Sequence, residues 1–82
     1  MAVRKVYRER ETGAVDHPIR VLRERLGLSQ GELAEMLGCS REALNRWERG
    51  KRAPGKEARE DLAVAFGVKV ETLNRRIREW DR

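Results

Sequence analysis

The chain has 82 residues, with 19 Lys or Arg against 14 Asp or Glu, a net charge of +5 and a pI near 10.1. That length holds one domain with a small core, which suits a helical bundle with short connections better than a layered α/β fold. The single cysteine, Cys39, excludes an intrachain disulfide and any cysteine-rich zinc centre, and no apolar run is long enough to cross a bilayer.

Charged residues make up 40% of the chain and hydrophobic ones 39%. The apolar positions are few but periodic, as disordered chains are not. A basic balance points to a polyanionic partner, and its distribution says more than its total. Across residues 41–56 six Arg or Lys oppose only Glu42 and Glu48, whereas residues 29–40 carry only Glu32 and Glu35. The positive charge is local. No stretch resembles a signal peptide, so a cytoplasmic protein is expected.

Residues 1–15 have no helical period. Val3, Val6 and Tyr7 sit among Arg4, Lys5, Arg8 and Arg10, and Thr12-Gly13 offers a turn. This segment is read as a basic arm, either a tail, a clamp on DNA, or a strand or hairpin in a dimer. A first helix is predicted to begin around residues 16–18, where Asp16 or His17 can cap it and Pro18 suits the first turn. Ile19, Leu22 and Leu26 share one face and Gly27 ends the helix. Arg23 falls on that apolar face, where a lone charge needs a partner.

Ser29 and Glu32 form an S-x-x-E capping box for a second helix, with Leu33, Met36 and Leu37 predicted inward and Ala34 allowing a close crossing. Gly38 suits a left-handed stop, and Ser40 caps a third helix only two residues later. So short a connection forces a steep crossing, as in a helix-turn-helix over residues 29–50. On the third helix Leu44, Trp47 and Ala43 face one way. At 100° per residue, Glu42, Asn45, Arg46 and Arg49 face the other, with Arg41 at the leading edge. Gly50 ends it, and residues 51–55 form a basic loop. A fourth helix from about Lys56 buries Ala58, Leu62, Ala65 and Phe66 and stops at Gly67. A fifth aligns Val70, Leu73, Ile77 and Trp80, with Lys69 a poor cap and Arg75, Arg76 and Arg78 solvating its outer face. The Trp80 end of that stripe either closes the domain's own core or forms a dimer interface.

Residues 19–70 resemble the phage-repressor-like helix-turn-helix family, the lambda repressor/Cro group that includes xenobiotic-response-element regulators. The resemblance lies in Leu28-Ser29-Gln30 with Glu32-Leu33-Ala34, in Leu37-Gly38-Cys39-Ser40-Arg41, in Trp47-Glu48-Arg49-Gly50 with Pro54, and in Leu62-Ala63 followed by Phe66-Gly67-Val68. It implies an all-α, five-helix DNA-binding domain over residues 16–82, with residues 1–15 as an arm outside it. It further implies that the third helix enters the major groove, making Arg41, Glu42, Asn45 and Arg46 the base-reading candidates. Arg suits guanine, Asn adenine and Glu the cytosine amino group. Gln30 becomes a phosphate contact that also buttresses Arg41, and Arg49, Lys51 and Arg52 become phosphate contacts beyond the helix. Relatives pair the positions of Arg23 and Glu48 in a structural ion pair, so Glu48 is given no reading role. Cys39 stands where relatives place Val, Thr or Ile and is read as a small hydrophobe. His17 is a lone imidazole with no companions for a metal. Gly31, early in the second helix, and Gly55, at the fourth cap, depart from the family pattern.

The function expected is a sequence-specific regulator of transcription, a repressor binding double-stranded DNA as a homodimer on a palindromic operator. It needs no cofactor or metal and works at the nucleoid in the cytoplasm. The alternative is an antitoxin-type interaction module that grips a protein partner through residues 3–10 or 73–80. An enzyme is not expected, because no nucleophile–base pair or phosphate-cradling glycine loop is present.

Overall fold

Three side-chain caps start the first half of the fold. His17 Nδ1 accepts from the Ile19 N–H at 3.1 Å. Ser29 and Glu32 exchange both bonds of the capping box, at 3.0 and 2.8 Å. Ser40 Oγ accepts from Ala43 N–H at 3.0 Å. Each satisfies a helix-end donor that would otherwise need water. The computed structural model describes residues 16–81, and the arm predicted over residues 1–15 lies outside them. Five helices follow in order: α1 (Pro18–Arg25), α2 (Gln30–Leu37), α3 (Arg41–Glu48), α4 (Lys56–Phe66) and α5 (Val70–Asp81). No strand occurs among the described residues.

The first four helices stop by one device. An N–H two or three residues past the helix end bonds back to a carbonyl five residues earlier: Leu28 to Arg23, Cys39 to Ala34, Lys51 to Arg46 and Val68 to Ala63, at 2.9–3.1 Å. The residue before that N–H turns left-handed, as at Gly38 (φ 71°), where any side chain would be strained. These stops keep the connections short, so α2 and α3 cross through a turn of three residues.

Each helix contributes one side chain with no exposed surface: Ile19, Leu33, Leu44, Leu62 and Leu73. Removing such a side chain from water is worth about 1.5–3 kcal/mol. Leu22, Ala34, Trp47, Ala63, Phe66 and Ile77 surround them, and Cys39 packs against the cluster from its edge. Burial pushes the Cys39 thiol up from its ordinary value, which leaves it protonated and suits packing rather than reactivity. On α4 the expected Leu62 and Phe66 are buried, joined by Ala63, whereas the expected Ala58 and Ala65 are only partly buried. α3 packs against α1 and α2, while α5 lies against α1 and α4.

Two expected core residues are not in it. Leu26 is 50% exposed and Met36 58%. Leu26 lies on the inward arc but past the last turn of α1, where the chain swings away at Gly27. Met36 sits at the rim of α2, whose buried face centres on Leu33, Ala34 and the half-buried Leu37.

The C-terminal stripe closes the fold. Leu73 and Ile77 are buried, and the half-buried Trp80 ring stands edge-on to His17 with centroids 4.7 Å apart. His17 is therefore structural, 4% exposed, capping α1 and touching the last helix. Its pKa is lowered by burial, against the opposing pull of Asp81 and Glu48. The cap also needs Nδ1 unprotonated. A folded-state pKa below the unfolded 6.5 gives stability that is present above that value and lost as pH falls through the folded one. Thermal unfolding should thus show a loss of melting temperature between pH 7.5 and 5 that His17→Asn, which keeps a capping side chain, reduces. An equal loss in both proteins would show that His17 does not titrate with folding.

Candidate nucleic-acid interface

The outward side of α3 follows from its cap and its core face. With Ser40 fixing the start and Leu44 and Trp47 turned inward, Arg41, Glu42 and Arg46 are left exposed and Asn45 half-buried. Arg49, Lys51 and Arg52, at the helix end and in the following loop, are exposed as well. Among the described residues none of these five cations takes part in a salt bridge or a side-chain hydrogen bond. Glu42 is the only exposed carboxylate of α3. Gln30, Arg41, Glu42 and Asn45 line a shallow concavity of about 180 Å³ where α2 meets α3.

The second carboxylate of α3 is turned inside. Arg23 Nε donates to Glu48 Oε2 at 2.6 Å and its Nη2 to Oε1 at 3.0 Å, with Arg23 Nη1 held by the Leu28 carbonyl at 2.8 Å. The two side chains are only 10% and 3% exposed. This fork-on-fork geometry ties α1 to α3 and leaves the helix surface with cations in excess. The outward face is therefore attractive to a polyanion even though the helix carries two acidic residues.

Gln30 differs from expectation. Its Nε2 donates to Asn45 Oδ1 at 3.2 Å and to Glu48 Oε1 at 3.0 Å. It lines the same concavity as Arg41, but the residue it braces is Asn45. Both acceptors lie in the second half of α3, and together they engage the Gln30 amide nitrogen. Asn45 is thereby held by the scaffold, whereas Arg41 and Arg46 extend from it.

The residues proposed for a site are thus brought together on one surface, apart from Arg23 and Glu48, which lie beneath it. Among the described residues no group of three His, Cys, Asp or Glu could hold a metal ion, and no helix is long and apolar enough to cross a membrane. Comparison with curated proteins and with solved structures returned no match. A helix-turn-helix family model matches residues 19–73, from the first core residue of α1 into α5. That span covers about two thirds of the chain and leaves out the His17 cap and the Ile77–Trp80 end of α5. The chain belongs to the XRE/Cro/C1-type helix-turn-helix family of DNA-binding transcriptional regulators.

Proposed function

We propose that this protein is a repressor that binds a near-palindromic operator as a homodimer, with α3 of each copy in the major groove. The observation that carries this reading is the row Arg41, Glu42, Asn45 and Arg46 on the solvent side of α3, with Arg49, Lys51 and Arg52 flanking it. Base edges in the major groove offer Arg an acceptor pair on guanine and offer Glu the amino group of cytosine. The flanking cations meet phosphates, which position the domain without reading sequence. One eight-residue helix spans only a few base pairs, so two copies on half-sites about 34–36 Å apart supply the specificity that one lacks. Occupation of a promoter by such a dimer represses it at the nucleoid.

A protein-partner role has less to stand on. The stripe of residues 73–80 is engaged with the domain's own core, and residues 3–10 lie outside the described structure.

Selection of bound sites from random duplexes, followed by titration, tests the reading. Arg41→Ala and Arg46→Ala should each weaken specific binding by about 1–3 kcal/mol and relax preference at one base pair. Lys51→Ala should weaken all sequences alike and reduce the slope of log K against log salt by about 1. Unchanged affinity for the selected site in both arginine variants would reject α3 as the reading helix.

A further inference from the structure

A carboxylate only accepts hydrogen bonds, so the Gln30 atom 3.0 Å from Glu48 Oε1 has to be its amide nitrogen. Glu48 is itself held against Arg23 by two bonds and cannot turn away. The same Gln30 nitrogen stands 3.2 Å from the Asn45 amide. An NH2 facing another NH2 would leave the hydrogens between them without an acceptor, so Asn45 turns its Oδ1 toward Gln30. Both Gln30 amide hydrogens are then committed. Two outward consequences follow: Gln30 presents its carbonyl oxygen, and Asn45 presents its NH2.

We infer that Glu48, acting through Gln30, sets the base preference of Asn45 by holding its amide with the donor side toward the DNA. Guanine offers two acceptors in the major groove, N7 and O6, whereas adenine pairs its N7 with an amino group that needs an acceptor. Asn45 in this orientation favours guanine at its base pair, and the adenine pairing usual for a free Asn requires the amide to be released. Gln30 and Glu48 are positioning residues here. The Gln30 side chain offers a phosphate an oxygen rather than a donor, so only its backbone N–H remains for such a contact. The inference rests on the base-reading role proposed for α3.

The test compares the whole protein with Gln30→Met, Gln30→Ala and Asn45→Ala on duplexes randomised across the site. Gln30→Met keeps an unbranched side chain of similar volume at the first position of α2, so it preserves the packing while removing the amide. Wild type should prefer guanine over adenine by about tenfold at the one base pair that Asn45→Ala relaxes. Both Gln30 variants should lose that preference or shift it toward adenine, with other positions and the salt slope unchanged. In the free wild-type protein, both Gln30 side-chain amide protons should exchange slowly by NMR. Guanine preference retained in the Gln30 variants would overturn the relay while leaving base reading by α3 intact. An equal loss of affinity for every duplex with preference retained would instead make Gln30 a phosphate contact. If Asn45→Ala relaxes no position, base reading by Asn45 itself fails and the relay falls with it.

Discussion

Glu48→Ala should lower folding stability by about 3–5 kcal/mol, a large share of what a small domain has. The reason is what stays behind. Arg23 is on the core side of α1, and with Glu48 gone its Nε and Nη2 lose their acceptors in a place where little water reaches. Arg23 Nη1 keeps the Leu28 carbonyl, which anchors the guanidinium and prevents it from swinging free. Arg23→Ala should cost a similar amount by orphaning the carboxylate. Replacing both, as in Arg23→Met with Glu48→Leu, should be much milder because no charge is left unpaired and the volume is kept. Urea unfolding of the four proteins checks this. If the double variant is as damaged as either single one, the pair contributes by packing and the electrostatic account is wrong.

The same comparison bears on the interface. The apolar pair removes the acceptor for Gln30, so a folded double variant separates the stability role of Glu48 from its orientation of Asn45.

Caps and stops made the element boundaries legible. Ser29 with Glu32, Ser40, and the glycines at 27, 38, 50 and 67 are local chemistry, and local chemistry is what a sequence displays directly. Periodicity placed Leu33, Leu44, Leu62 and Leu73 inward, because each lies near the middle of its apolar arc. Met36 shows the limit of that reasoning. At 100° per residue it lies about 107° from the centre of the Leu33–Leu37–Ala34 face, close enough to look apolar-sided and too far to be covered. Leu26 shows another: a wheel gives direction around the axis but not where along it the neighbours end. The ion pair of Arg23 and Glu48, 25 residues apart, could be anticipated only through family resemblance. Gln30 with Asn45, 15 residues apart, depends on how α2 meets α3 in space, which the periodicity of neither helix displays. The outward row on α3, by contrast, follows from its own inward residues and was readable without a partner.

Trp80, for which sequence left two readings open, packs its half-buried ring within the domain. Its ring covers Gly50: a Cβ placed there would stand 2.6 Å from Trp80 Cη2 and 2.7 Å from Cζ3. Gly50 also has φ 72°. Gly50→Ala therefore carries two penalties, about 1–2 kcal/mol for a side chain in the left-handed region and about 1–3 kcal/mol for forcing the ring aside, or about 2–5 kcal/mol together. Only the second depends on the indole. Trp80→Ala should itself destabilise the domain by removing the ring from His17 and Gly50, but in its background Gly50→Ala should cost only the backbone part, about 1–2 kcal/mol. Denaturation of the four proteins gives that cycle. Strict additivity would mean that the ring does not occupy this seat in solution. The seat matters beyond stability, because Gly50 joins α3 to Lys51, whose N–H bonds back to the Arg46 carbonyl at 2.9 Å. The tip of the last helix thus clamps the end of α3 and the start of the basic loop. If that loop positions phosphates as proposed, Gly50→Ala should weaken binding to every duplex alike under conditions where the variant remains folded. A loss confined to the selected operator would instead place its effect on base reading.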